Sequence, residues 1–342
     1  MYPRLRHALG QLALTTLPTP VRVAQLADAT SVVIKDDSRT ASLYGGNKVR
    51  KLEFLLARAL HKQCDTVATF GAVGSHHALA TALYAQQLNL HTIAFLSHQT
   101  RTDGIAETLA LHQALGTTLV CFGGSYRERI ATLRKHLRNK RAMIIPAGGS
   151  AWHGNVAYID AALELAGQIA RKECPQPDRM YVATGTMGTA IGLALGFALC
   201  DLPIDVHAVR ITPLEITDER RLQRLAAKTA RMLHRLDDSF PEDLARRMRL
   251  TLRHDFYGAG YAHSNAVTER AIGVAHDALE LQLEATYTGK AMAALLADQQ
   301  VAGKRAGTPM FWQTYHAAPL PAAPAALGSR GTLPEEFRRY FS

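Results

Sequence analysis

Short apolar runs alternate with longer amphipathic stretches through most of this chain, the pattern of β-α units feeding a parallel sheet. In the first half the pattern predicts strands at 31–35, 65–69, 91–95, 118–122 and 142–145, with helical periodicity at 47–60, 75–88, 104–115, 126–137 and 153–172. A second group places strands near 180–183, 205–209 and 309–312, with helices following Met187, Thr217, Ser264 and Thr288. The run Cys174-Pro-Gln-Pro-Asp-Arg breaks the helix before it and punctuates the chain. Residues 317–326, with Pro319, Pro321 and Pro324, read as an irregular or extended connector before a short basic end at 334–342.

The chain has 342 residues, 47% hydrophobic and 20% charged, enough to bury two cores and incompatible with a disordered, collagenous or disulfide-stapled chain. The four cysteines, Cys64, Cys121, Cys174 and Cys200, are far apart and form no metal-ligand spacing, so neither a disulfide framework nor a metal site is expected. Residues 1–10 contain no apolar stretch of signal-peptide length, and no run approaches the roughly 20 apolar residues of a membrane span. A cytoplasmic protein without membrane contact is the expectation. Lys and Arg outnumber Asp and Glu by 39 to 29, which favours anionic partners, from small carboxylates and phosphates to nucleic acid. The ten Lys and Arg residues between Asp218 and Arg253 are interleaved with six acids, as on a solvated helix face, and no nucleic-acid recognition motif accompanies them.

Three loops join a predicted strand to a predicted helix, where free N–H groups and the helix dipole favour an anion. Thr184-Gly185-Thr186-Met187-Gly188-Thr189 is small and hydroxyl-rich; it meets no nucleotide fingerprint and suits either a phosphate or a tight turn. Gly71-Ala72-Val73-Gly74-Ser75-His76-His77 opens a helix with Ser75 either as its cap or as part of a carboxylate cradle. His76 and His77, being adjacent, point to different faces and do not share a metal. In the third, Gly45-Gly46-Asn47-Lys48, a lysine stands where a glycine turn becomes a helix. The dipole disfavours a cation there and so depresses the amine pKa, as a Schiff-base lysine requires.

Gly45-Gly46-Asn47-Lys48-Val49-Arg50-Lys51-Leu52-Glu53, Gly71 to Ala78, Pro146-Ala147-Gly148-Gly149-Ser150 and Tyr287-Thr288-Gly289-Lys290-Ala291-Met292 occur in an order that resembles one family. It is the D-cysteine desulfhydrase and 1-aminocyclopropane-1-carboxylate deaminase family of pyridoxal-phosphate enzymes, within the tryptophan synthase β-like fold (fold type II). The similarity runs from about Pro18 to Thr314, and Gly-Gly-Asn-Lys-Val-Arg-Lys is its most specific element. The resemblance implies an α/β protein of two open twisted α/β domains with the cofactor in the cleft between them. A large domain is expected over 1–52 plus 160–342 and a small one over 53–159. A homodimer is also implied.

Carried over by position, Lys48 matches the lysine that forms the Schiff base, with Asn47 before it. Gly185, Thr186, Met187, Gly188 and Thr189 match the loop that binds the cofactor phosphate. Ser75, His76 and His77 match the segment that holds the substrate carboxylate and approaches the pyridoxal hydroxyl. Tyr261 and Tyr287, 287 − 261 = 26 positions apart, match two active-site tyrosines. Thr288 and Thr314 match threonines near the pyridine nitrogen in the desulfhydrase branch, whereas the deaminase branch carries Glu at the position of Thr288. A carboxylate there keeps the nitrogen protonated and the ring a strong electron sink; a hydroxyl does not. The implied chemistry is therefore β-elimination on D-cysteine or a relative, giving pyruvate, ammonia and sulfide, with Lys48 as general base. Alternatives within the fold are racemisation, β-replacement, deamination of cyclopropane or larger amino acids, and a non-catalytic binding protein.

Four positions depart from the family. Gly74 replaces Gln, His76 replaces Asn, and Met187 stands where glycine is common, so a different turn is expected there. Gln313-Thr314-Tyr315-His316 replaces His-Thr-Gly-Gly, placing two bulky side chains in the substrate wall where space is expected.

Overall fold

The computed structural model describes residues 8–302, 307–316 and 333–341. The proline-rich connector read at 317–326 lies outside these residues. By contacts the chain forms two compact units, one comprising residues up to Phe54 and from Ser150 to Ala318, the other Leu55–Gly149 with the C-terminal residues.

The first unit holds a six-stranded sheet of β1 (Val21–Gln25), β2 (Ser31–Asp36), β7 (Arg179–Thr184), β8 (Asp205–Arg210), β9 (Leu250–Arg253) and β10 (Pro309–Gln313), in the order β1-β2-β10-β7-β8-β9. All pairings are parallel except β1 with β2. Parallel strands covered on both faces have little room for polar side chains, and Val32, Val33, Ile34, Met310, Phe311 and Trp312 are all buried. One face packs on α5 (Trp152–Ala170), α6 (Gly188–Leu199), α7 (Glu219–Leu236) and the short α8 (Leu244–Arg247), the other on α9 (Ala266–Leu279) and α10 (Thr288–Ala302). Helix α6 is apolar all round and almost wholly buried. Charge is confined to one side of α7, and several arginines of this region pair with acids: Arg247 with Asp201, Arg249 with Asp205, Arg253 with Asp255 and Asp298.

The second unit holds a parallel sheet of β3 (Thr66–Ala72), β4 (His91–Ser97), β5 (Thr118–Cys121) and β6 (Ala142–Ile145) in the order β5-β4-β3-β6. Helices α2 (His76–Gln87), α3 (Ile105–Ala114) and α4 (Tyr126–Leu137) connect its strands. Helix α4 contributes no buried residue, so its start depends on a capping box in which Ser125 and Glu128 bond each other's backbone. Helix α1 (Asn47–His61) carries the chain from the first unit into the second.

Two boundaries correct those read from sequence. The first unit resumes at Ser150 rather than 160, because α5 buries Val156, Ala157 and Ile159 in that unit's core. Leu333, Phe337 and Tyr340 belong to the second unit, packed with Val73, Ala78 and Ile105.

Candidate active site

In each sheet the chain order reverses beside a central strand, and the loops after the strands at such a reversal diverge to leave a crevice. In the first sheet this lies between β7 and β10, so the turn Thr184–Thr189 and the residues Thr314–His316 emerge at one place.

The turn after β7 is shaped as an anion cradle. Met187 adopts φ 66°, the left-handed conformation that glycine takes without cost, so the chain keeps the glycine turn with a buried methionine in it. A Cβ on Gly188 would lie 2.5 Å from Asn155 Oδ1, 2.6 Å from Ser150 Oγ and 3.0 Å from Lys51 Nζ, so only glycine fits. The Ser150 and Thr186 hydroxyls are 2.6 Å apart, and Gly188 N donates to Ser150 Oγ (3.2 Å). Thr212 and Thr217 donate to Gly185 O, fixing the start of the turn. Lys51 is buried, and burial together with Lys48 pushes its amine well below the ordinary lysine value. Asn155 Oδ1 and Thr184 Oγ1 are buried without a hydrogen-bond partner. A helix N-terminus, hydroxyls and a buried amine around a glycine fit a phosphate group.

Lys48 lies at the start of α1, on a turn held tightly to β10. Gly46 (φ 83°) brings its backbone so close to Thr314 that a Cβ would sit 2.7 Å from the Thr314 carbonyl, and Asn47 N donates to that carbonyl (3.1 Å). Lys48 Nζ donates to Asn47 Oδ1 (2.8 Å), while Asn47 Nδ2 donates to Thr189 Oγ1 (3.1 Å) on the first turn of α6. Asn47 thus ties the amine to the anion cradle. Burial lowers the Lys48 amine to about 8, with Glu284 opposing that shift.

Tyr287 presents its ring to Lys48 (5.9 Å from Nζ to the centroid), and its hydroxyl lies 2.8 Å from that of Tyr261. Burial raises both phenols above their ordinary value, so they are protonated at neutral pH. Glu284 accepts from the backbone N–H groups of Thr286, Tyr287 and Thr288, capping the region where α10 begins. The Thr288 hydroxyl is part of that cap: it donates to Glu284 Oε1 (3.2 Å) and accepts from Glu284 N (3.0 Å). Lys290 is buried and donates to the carbonyls of Tyr257 (2.7 Å) and Gly260 (3.0 Å), fixing the loop that presents Tyr261.

The β10 exit is filled. His316 is buried against Tyr44 (ring centroids 4.4 Å) and Tyr315 (4.6 Å), and Gln313 Nε2 donates to Gln282 O (2.7 Å). His316 therefore spends its bulk on packing, and Tyr315, half-buried, is the more accessible of the two.

The second unit places Ser75 at its own switch point, between β3 and β6. Ser75 is the N-cap of α2: its Oγ accepts from Ala78 N (3.2 Å) with φ −70° and ψ 109°. The cap uses a lone pair and leaves the hydroxyl hydrogen for another acceptor. His77 is buried and His76 half-buried on the first turn.

Sequence reasoning missed Lys51, Glu284, Asn155 and Lys290. Lys51 was findable, since i and i+3 share a helix face with Lys48. Asn155, a polar residue on the buried side of α5, gave no periodic signal, and Glu284 precedes a helix without a Ser, Thr, Asp or Asn cap.

A lysine wired to an anion cradle is the arrangement of a pyridoxal-phosphate site, and the comparisons agree. The profile of the family "Pyridoxal-phosphate dependent enzyme" matches residues 12–308. The chain belongs to that family. It is 32% identical over 317 residues to nocardicin C-9' epimerase of Nocardia uniformis subsp. tsuyamanensis, covering 90% of this chain and 93% of that protein. It is 31% identical over 303 residues to D-cysteine desulfhydrase of Salmonella schwarzengrund, covering 84% of this chain and 87% of the relative. Among solved structures, an ACC deaminase homologue superposes with a TM-score of 0.75 at 26% identity over 93% of this chain and 96% of that one. The protein is therefore a pyridoxal-phosphate enzyme of fold type II.

Proposed function

We propose that this enzyme eliminates the β-substituent of a small amino acid, with D-cysteine as the leading substrate and pyruvate, ammonia and sulfide as products. The observation that carries this reading is the Lys48–Asn47–Thr189 connection, which joins a low-pKa amine to the anion cradle. The 31% identity to D-cysteine desulfhydrase and the hydroxyl of Thr288 in place of a carboxylate favour a thiolate leaving group over cyclopropane opening. Bound pyridoxal phosphate supplies a carbonyl that condenses with amines and a ring that withdraws electrons from the α-carbon.

Gly185, Thr186, Met187, Gly188 and Thr189, with Ser150 and Lys51, would hold the phosphate. Asn47 and Thr189 orient Lys48, whose amine accepts the α-proton. The Cβ–S bond breaks as that proton is removed, and the Tyr261–Tyr287 pair delivers a proton toward the departing sulfur. The released enamine hydrolyses to pyruvate and ammonia. On this reading Thr288, its hydroxyl held in the Glu284 cap, and Thr314 would lie near the ring nitrogen, and Ser75, His76 and His77 would take the substrate carboxylate with the N–H groups opening α2. Tyr315 borders the substrate side chain. We also propose a cytoplasmic homodimer: all four cysteines are free thiols, as in a reducing compartment, and the family resemblance implies the dimer.

The 32% identity to an epimerase supports a second reading, in which Lys48 removes the α-proton and the opposite face is reprotonated without loss of the β-substituent. Incubation with D-cysteine in deuterated water separates the two. Sulfide and pyruvate in equal amounts support elimination; deuterium at Cα with inversion and no keto acid supports epimerisation.

A further inference from the structure

The loop that opens α2 is held from outside by the C-terminal end of the chain. Gly74 N donates to Gln99 Oε1 (3.2 Å), so the side chain of Gln99 grips the residue before Ser75. Gln99 is itself gripped: its backbone N donates to the hydroxyl of Tyr340 (3.1 Å), and that hydroxyl donates to the Gln99 carbonyl (3.1 Å). One phenol therefore satisfies both backbone groups of a residue that follows β4, as a neighbouring strand would. His98 Nδ1 lies 3.2 Å from the same oxygen. Apolar packing follows the same line. Leu333, Phe337 and Tyr340 are buried in one cluster with Val73 and Ala78, the residues that flank Gly74 and Ser75.

We propose that Tyr340 is a positioning residue for substrate binding, acting through Gln99 to hold the Gly74–Ser75 backbone in the shape that receives the substrate carboxylate. This rests on the reading of the Ser75 loop as the carboxylate site. Lys48 and the phosphate turn belong to the first unit, whereas the Tyr340–Gln99–Gly74 bonds lie within the second, so loosening the clasp acts on substrate affinity and leaves the chemical step intact. The Tyr340 ring shares an apolar cluster with Phe337, so removing the hydroxyl alone leaves that packing in place.

Two measurements on the holoenzyme test this with Tyr340→Phe, Gln99→Leu and the acceptor-preserving Gln99→Glu. The first is amide hydrogen exchange of the peptide spanning residues 71–78 without substrate; the second is steady-state kinetics with D-cysteine. The clasp predicts faster exchange at Gly74 in Tyr340→Phe and Gln99→Leu, with KM raised about three- to tenfold and kcat within about twofold of the parent. The lysine–cofactor absorption band is unchanged, and Gln99→Glu keeps the parental exchange rate. Unchanged exchange in Tyr340→Phe overturns the proposal, as does a fall in kcat at constant KM. Faster exchange with an unchanged KM contradicts the assignment of the loop to the carboxylate while leaving the clasp itself standing, so the two failures are told apart.

Discussion

The phenolic oxygens of Tyr261 and Tyr287 lie 2.8 Å apart with their rings at 89°, although 26 residues separate them in the chain. Tyr287 precedes α10, while Tyr261 sits on a loop pinned by Lys290 from that same helix. One element therefore sets both phenols. Removing one hydroxyl leaves the other without its buried partner and, on the proposed mechanism, interrupts proton delivery. Tyr261→Phe and Tyr287→Phe are each expected to lower kcat/KM for D-cysteine by about 10- to 100-fold, and the double variant to cost little more than either alone. Additive losses in the double variant would mean the phenols act separately.

Lys290 supports the pair without belonging to it. Lys290→Met keeps the length but loses the two bonds to Tyr257 O and Gly260 O, so the Tyr261 loop loosens. The expected result is a loss in kcat/KM comparable with Tyr261→Phe and an unchanged affinity for the cofactor. Activity at the parental level would show that the loop holds its shape without the lysine.

Burial lowers the Lys48 amine to about 8, so at pH 7 about a tenth of the molecules carry the neutral base, far more than an ordinary lysine allows. Its reaction with pyridoxal phosphate added to apoenzyme should therefore accelerate as pH rises and level off above about 8. Glu284 favours the charged form of this amine, so Glu284→Gln moves the midpoint to lower pH. A profile still climbing steadily towards pH 10 would contradict the buried-amine account. The cradle has its own test: a side chain in Gly188→Ala would strike Asn155, Ser150 and Lys51, and cofactor affinity should fall at least tenfold (about 1.4 kcal/mol).

Beneath the Lys48 turn lies a buried ionic network. Arg50 bonds Asp37 and Glu164, Lys35 bonds Glu164, and Tyr158 and Trp312 donate to Asp37. Burial alone would raise the Glu164 carboxyl, but Arg50 and Lys35 outweigh it and hold the group at about 2. Because the folded value is depressed, this stabilisation is present above the ordinary glutamate range and disappears as pH falls towards 2. Arg50→Met leaves the buried Asp37 carboxylate without its cationic partner and should destabilise the first unit by about 3–5 kcal/mol, read as a lower denaturation midpoint. An unchanged midpoint would mean the network is neutral.

The parallel strands and long helices were legible because burial on both faces makes β2, β7 and β10 apolar runs and because helical period is strong over a dozen residues. What escaped was at the edges. β1 pairs on one side only, leaving Val23 exposed, and β9 is four residues long with Arg253 serving ion pairs, so neither shows a buried-strand pattern. Lys48, Asn47 and the Gly185–Thr189 turn could be read from their order. Their mutual contacts could not, because the bond from Asn47 to Thr189 spans 142 positions. The C-terminal residues carry no motif that reveals their attachment to the second unit, which depends on Phe337 and Tyr340 finding a matching apolar surface.

The central claim is that the Lys48 amine carries the cofactor. Purified protein mixed with pyridoxal phosphate should show the lysine–cofactor absorption band, and Lys48→Ala should lack it while retaining the fold by circular dichroism. Sulfide release from D-cysteine should disappear in the same variant. A Lys48→Ala protein that keeps both the band and the activity would contradict the account.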